Sequence, residues 1–137
     1  MLFGEKMTQK RFEVRTIEPA FVDSRGSIFN FLEDFDIRHI EYYTSVRGVT
    51  RGNHYHPNHN EAIFMISGLC RIAVKDLENS DPNDPKSGLE IRVGLPGDLI
   101  VCKAKVVHAQ IFLEYSKAIA FSDGRKDRDK YEEHTIK

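Results

Sequence analysis

The chain has 137 residues, few enough for a single domain and enough to bury one core without disulfides. Its 20 Lys plus Arg nearly balance 21 Asp plus Glu, so no bulk charge draws it to nucleic acid, an anionic membrane or an acidic partner. Any function therefore resides in a local site.

The opening MLFGEKMTQKRFEV lacks the continuous apolar stretch of a signal peptide, and the most apolar segment, AIFMISGLCRIAV, is short and broken by Ser67, Gly68 and Arg71. A cytoplasmic protein without a membrane span is expected. Strand signals then dominate: Phe12 to Ile17, Ser27 to Leu32 and His39 to Val46 are short, rich in aromatic and β-branched residues, and separated by turn chemistry such as DSRG. After a histidine-rich segment come Ala62 to Ser67 and Cys70 to Lys75. The stretch ENSDPNDPKSG at 78 to 88 concentrates Pro, Asp, Asn, Ser and Gly, which predicts a long hairpin loop. Leu89 to Val93, Leu99 to Lys103, Ala109 to Tyr115 and Ala118 to Ser122 complete the predicted strands, and no helix is expected. The charged end, 123 to 137, is expected to be a solvated tail or a last edge segment.

So many short strands with Gly and Pro turns between them predict an all-β fold, an antiparallel sandwich or jelly-roll barrel, in one domain over 1–137 with its core at about 24–122. In AIFMISG neither strand face is polar, so one lines the interior and the other needs a cover, a second sheet or a second copy; a homodimer is the expectation. Cys70 and Cys102 are too few and too far apart for a disulfide framework, and are expected as buried reduced thiols.

The segment RGNHYHPNHNE, residues 51 to 61, carries the chemistry. Side chains two apart on a strand share a face, so His54 and His56 enter the interior together while Tyr55 points away. Pro57 and Asn58 suit a reversal that brings the Glu61 carboxylate back beside the imidazoles, and His108 can close the set from a neighbouring strand. Three imidazoles and a carboxylate suit one divalent transition metal, Zn, Fe, Mn, Ni or Cu, with positions left open for water or substrate. A metal-free hydrogen-bonded cluster is the plainer alternative. His59, on the turn, is expected in solvent, and His39 and His134 are expected as surface or satisfied histidines. Gln110 and Phe112 share the face of His108 and are expected to line the pocket, although ordinary core packing explains Phe112 just as well.

The residues also carry a family resemblance. Gly48, His54, His56, Glu61 and Gly68 fill every fixed position of the first cupin motif, G-x5-H-x-H-x4-E-x6-G. The second motif, G-x5-P-x4-H-x3-N, resembles Gly97 to Phe112, with His108 in register but Lys103 and Phe112 in place of the proline and asparagine. The resemblance implies an RmlC-like cupin barrel, usually dimeric, with the metal inside it. VTRGNHYH with NE and SG is similar to the cupin part of bifunctional capsular polysaccharide enzymes acting on nucleotide-activated amino sugars, where the equivalent side chains bind zinc. DSRG at 23 to 26 followed by RGNHY resembles nucleotide-sugar 3,5-epimerases and 3,4-ketoisomerases. In the epimerases the histidine matching His54 is the base, and arginines matching Arg25 and Arg51 help hold the nucleotide sugar; a strand-edge or turn arginine paired to Asp23 or another acid is an equal alternative for both.

Those epimerases carry a lysine where this chain has Glu61. A glutamate would repel an enolate unless a cation were bound to it, which favours a metal as the electrophile. If all three histidines ligate, the proton carrier is to be sought among Tyr42, Tyr43, Lys75, Asp76 and Tyr115, with Lys75 also a candidate for substrate binding. The expected function is a metal-dependent epimerase or isomerase of a nucleotide-activated keto sugar in surface polysaccharide synthesis. The alternatives are a cupin dioxygenase or decarboxylase using Fe, Mn or Ni, and a non-catalytic small-molecule-binding cupin.

Overall fold

The computed structural model describes residues 10–124 and the backbone of 132 and 133. Its strands, in chain order, are β1 (Phe12–Thr16), β2 (Phe21–Asp23), β3 (Gly26–Ile28), β4 (His39–Ser45), β5 (Thr50–Tyr55), β6 (Glu61–Ser67), β7 (Cys70–Asp76), β8 (Leu89–Gly94), β9 (Asp98–Cys102), β10 (Val106–Phe112), β11 (Ser116–Ser122) and β12 (Glu132–Glu133). One five-stranded sheet runs β1-β9-β6-β11-β4, the other β12-β5-β10-β7-β8, and β2 and β3 form a small hairpin. Every described pairing is antiparallel, as the sequence predicts. Among the described residues the helical content is the single 3-10 turn Leu77–Asn79, and no helix is long and apolar enough to cross a membrane.

Alternation along the strands builds the interior. Ile63 and Met65 of β6, Cys70, Ile72 and Val74 of β7, Ile100 and Cys102 of β9, and Ala118 and Ala120 of β11 meet in one buried cluster between the sheets. On β10 the same parity gives Val106, His108, Gln110 and Phe112, so two polar side chains are carried into an otherwise apolar layer. Both cysteines are free and buried, and burial pushes both thiols up from their ordinary pKa. The 78–88 segment lies, as expected, between the paired strands β7 and β8.

One strand prediction is corrected. Ser27 to Leu32 pairs only as far as Ile28, and the chain then leaves the sheet. Phe31, Leu32 and Phe35 pack instead on the outer face of the first sheet, against Ala62, Leu99 and Phe121, with the Phe31 and Phe64 rings stacked at 4.2 Å. Aromatic side chains serve a sheet face as well as a sheet edge, and local pattern does not separate the two. This segment also supplies part of the cover that β6 requires, from within the same chain.

Candidate functional site

β5 enters the interior beside β10, and their register slips as they pair: Ala109 faces Gly52 and Ile111 faces Thr50, but His108 faces His54, so Asn53 is the extra residue of a bulge. Gly52 and Asn53 both take left-handed backbone, at φ 83 and 64. A bulge of this kind bends its strand and re-aims the side chains that follow it. It turns the His54 ring edge-on to His108, with centroids 4.9 Å apart. His56 follows just past the strand end and meets His54 edge-on at 4.9 Å. Among the described residues these three histidines form a group whose potential ligand atoms all lie within 4.8 Å of one another.

Glu61, the first residue of β6, completes the arrangement. Its carboxylate oxygens lie 3.3 Å from Nε2 of His108 and 3.7 Å from Nε2 of His56. Burial pulls the Glu61 carboxyl upward, but the hydrogen bond from His108 and the positive potential of His108, His56 and His54 outweigh it and hold the group at about 2. Burial lowers His56 to about 4 against the opposing pull of Glu61. His108 is moved the other way: burial disfavours its charge, and Glu61 more than restores it. Neutral His56 presents a nitrogen lone pair, and ionised Glu61 a hard oxygen. With His54 and His108 this is a donor set that fits a divalent transition metal.

The cluster lies in a cavity of about 290 Å³. β4 forms the opposite wall through alternate residues His39, Glu41 and Tyr43, with His39 Nε2 2.9 Å from Glu41 Oε1. The Tyr43 hydroxyl donates to Gln110 Oε1 at 2.6 Å, and burial raises its pKa well beyond the usual tyrosine value, so it stays neutral. Arg51 also lines the cavity while remaining exposed to solvent. Its Nε donates to Ser45 Oγ at 2.8 Å and its guanidinium to Thr44 O at 2.9 Å, both uncharged acceptors.

His54, His56, Glu61, His108, Gln110, Arg51 and Tyr43 are thus brought together, and the other sequence candidates are not. Tyr42 has the opposite parity to Tyr43 on β4 and is 60% exposed, while Tyr115 lies in the β10–β11 turn at 54%. Arg25 sits in the β2–β3 turn, ion-paired to Asp23 and off the cavity wall. Lys75 pairs with Val107 on the outward parity of β7, and its ammonium donates to Pro85 O. Asp76 is held by Arg11. Phe112 shares the face of His108, but is sealed in the core beyond Gln110, so it packs rather than lines.

One histidine runs against expectation. His59 is buried and stacks on His56, with ring centroids 4.2 Å apart and planes 28° apart. The turn that carries it is clamped: the Asn60 backbone and side-chain amides donate to Asp123 at 2.7 and 2.8 Å, and Asn60 Oδ1 accepts from the Ala104 N–H at 2.9 Å. No pattern within PNHN reveals partners 44 and 63 positions away. His39 and Glu41 were legible only as a period of two in HIEYY, once Tyr43 is known to face inward. His134 lies outside the described residues.

Solved structures share this architecture. The chain superposes on a TDP-quinovose 3,4-ketoisomerase from Campylobacter jejuni with a TM-score of 0.72 at 20% identity, over 89% of this chain and 92% of that one. Against the RmlC epimerase of Mycobacterium tuberculosis the TM-score is 0.70 at 21% identity, over 85% of this chain and 65% of that one. The fold is the RmlC-like cupin jelly roll. The cupin strands and the segments between them from 21 to 86 match the model of the polysaccharide biosynthesis C-terminal domain. Over 59 residues the chain is 32% identical to part of the UDP-2-acetamido-2,6-beta-L-arabino-hexul-4-ose reductase of Pseudomonas aeruginosa. That match covers 43% of this chain and only 16% of the relative's length.

Proposed function

We propose that this cupin is a metal-dependent epimerase or isomerase of a nucleotide-activated keto sugar, serving surface polysaccharide synthesis. The observation that carries the reading is the convergence of His54, His56, His108 and Glu61 in a cavity that Arg51 also lines. Neighbours of the same fold act on such sugars: one is a TDP-quinovose ketoisomerase, and another was captured with TDP-4-keto-6-deoxyglucose. The partial relative from Pseudomonas aeruginosa is named for reducing a UDP-linked keto sugar.

A divalent ion held by His54, His56, His108 and Glu61 would supply Lewis acidity, polarising a keto oxygen and so acidifying the neighbouring C–H. The protein supplies the rest. A cavity of about 290 Å³ suits one sugar ring rather than a whole nucleotide sugar, so the diphosphate extends outward along Arg51. Arg51, whose acceptors are neutral, keeps its charge available for phosphate oxygens. With the three imidazoles committed to the ion, proton transfer falls to the β4 wall. Tyr43, whose hydroxyl lies on the cavity wall, is the candidate for returning a proton to carbon, and the Glu41–His39 pair is suited to remove one. Deprotonation and return on opposite faces gives epimerisation, and return at the adjacent carbon gives a keto shift.

The same donor set also suits a dioxygenase or decarboxylase, and Arg51 favours the phosphate-bearing substrate over these. The test is incubation of metal-loaded protein with dTDP- or UDP-linked 4-keto sugars in D2O. Deuterium is expected at the carbon beside the ketone, and its absence with every such sugar defeats the reading. A cytoplasmic location belongs to the same proposal, and so does a homodimer, which is supported by the apolar side chains Phe21, Val22, Ile28, Phe29, Ile40 and Tyr42 left between 46% and 61% exposed. Light scattering on the purified chain tests it.

A further inference from the structure

We propose that His59 is a positioning residue for the metal site: its stacked ring fixes the plane of His56 and thereby the direction of the His56 donor nitrogen. The inference rests on the metal reading above and adds a residue outside the ligand set.

Three observations carry it. His59 is only 6% exposed, which is unusual for a histidine on a five-residue reversal between two strands. Its ring lies nearly parallel to that of His56 at 4.2 Å, whereas His56 meets His54 edge-on. Its backbone has little freedom, because Asn60 next to it is tied to both Asp123 and Ala104. Gly124 abuts His59 as well, since a Cβ there would fall 2.5 Å from His59 Cβ and 2.8 Å from Cγ and Nδ1.

His56 needs such support more than the other two imidazoles do. His54 and His108 lie within paired strands, so backbone hydrogen bonds on β5 and β10 hold their Cα–Cβ vectors. His56 lies just beyond the end of β5, where its carbonyl accepts a backbone hydrogen bond from the Lys105 N–H at 2.9 Å, outside any strand ladder. An imidazole rotates freely about its last torsion unless something flat or hydrogen-bonding stops it. A stacked aromatic face restricts it, as outer-shell groups that orient a ligating histidine by hydrogen bonding do, and removing those costs about 10- to 100-fold in metal affinity.

The experiment titrates cobalt(II) into the full chain and follows both affinity and the visible d–d absorption, which reports coordination geometry independently of activity. His59→Ala is expected to weaken binding by about tenfold or more and to alter the absorption band. His59→Phe, which keeps a flat face, is expected to restore both. Gly124→Ala, which touches no histidine chemically but crowds His59, is expected to behave like His59→Ala, and decides the matter if His59→Ala does not fold. Wild-type binding and an unchanged band in both His59→Ala and Gly124→Ala overturn the inference while leaving the metal reading standing. So does His59→Phe behaving like His59→Ala. Failure of the wild-type chain to take up cobalt overturns the metal reading, and this inference with it.

Discussion

His54 lies directly opposite His108 in the pairing of β5 with β10, one residue past a slip in register that leaves Gly52 opposite Ala109. The slip is what allows two strands of ordinary parity to bring both imidazoles to one centre. It depends on Gly52, whose φ is 83, and at which a Cβ would stand 2.8 Å from the His108 carbonyl oxygen.

Gly52→Ala therefore strains the backbone and pushes on the ligand strand together. A left-handed backbone costs a non-glycine residue about 1–2 kcal/mol, before any steric clash is counted. Thermal unfolding should show at least that loss, and the variant should also bind metal more weakly. A variant as stable as the parent and fully competent for metal would mean that the bulge does not set the site.

His56→Ala and His108→Ala each remove a donor from the proposed set while leaving the interleaved core untouched. Elemental analysis by mass spectrometry, on protein never exposed to chelator or nickel resin, should show stoichiometric metal in the parent and little in either variant. The thermal unfolding curves of the metal-free forms should stay close to that of the metal-free parent. A full complement of ion in both variants would assign the ligands elsewhere.

Arg51 and Arg25 divide cleanly by partner. Arg51 lines the cavity with neutral acceptors, whereas Arg25 is spent on Asp23. Arg51→Ala should weaken TDP or UDP binding by about tenfold or more, the scale of one lost charge-assisted contact, and Arg25→Ala should leave it unchanged. Calorimetry reads both. An equal loss in the two variants would indicate that a second copy completes the pocket with its hairpin.

Tyr43→Phe deletes the hydroxyl that donates to Gln110 and leaves a buried amide oxygen short of a donor. The expected cost is about 1–3 kcal/mol in stability. Deuterium exchange into a keto sugar should fall by about 100-fold if the hydroxyl carries a proton, with substrate affinity little changed. Tyr42→Phe, on the exposed parity of the same strand, should change neither.

Acid stability has an identifiable contributor in Asp76. Burial raises its carboxyl, but hydrogen bonds from Asn79, Arg11 and the Glu78 N–H prevail and hold it below the ordinary value of 3.8. A folded-state pKa below the unfolded one means stability that is fully present above about pH 4 and is lost as pH falls through the depressed folded value. Arg11→Ala should reduce stability near neutral pH and flatten the acid limb of the stability–pH curve, as measured by urea unfolding between pH 3 and pH 7.

The antiparallel all-β architecture, most of the strands, and the grouping of His54, His56 and Glu61 were legible in the sequence because each rests on a local rule, while His108 joined them through the resemblance of Gly97 to Phe112 to the second cupin motif. A period of two assigns faces, Gly and Pro mark reversals, and a fixed motif spacing brings a strand and its successor together. What those rules leave open is which face is inward and how deep a residue lies along it. Only sheet packing decided that Tyr43 rather than Tyr42 faces the cavity, that Phe112 belongs to the core and Gln110 to the pocket, and that Phe31 covers a sheet instead of extending one. The burial of His59 is the clearest case. Its place beside His56 is set by hydrogen bonds from Asn60 to Asp123 and from Ala104 to Asn60, and contacts across such sequence distances exist only once the barrel has closed.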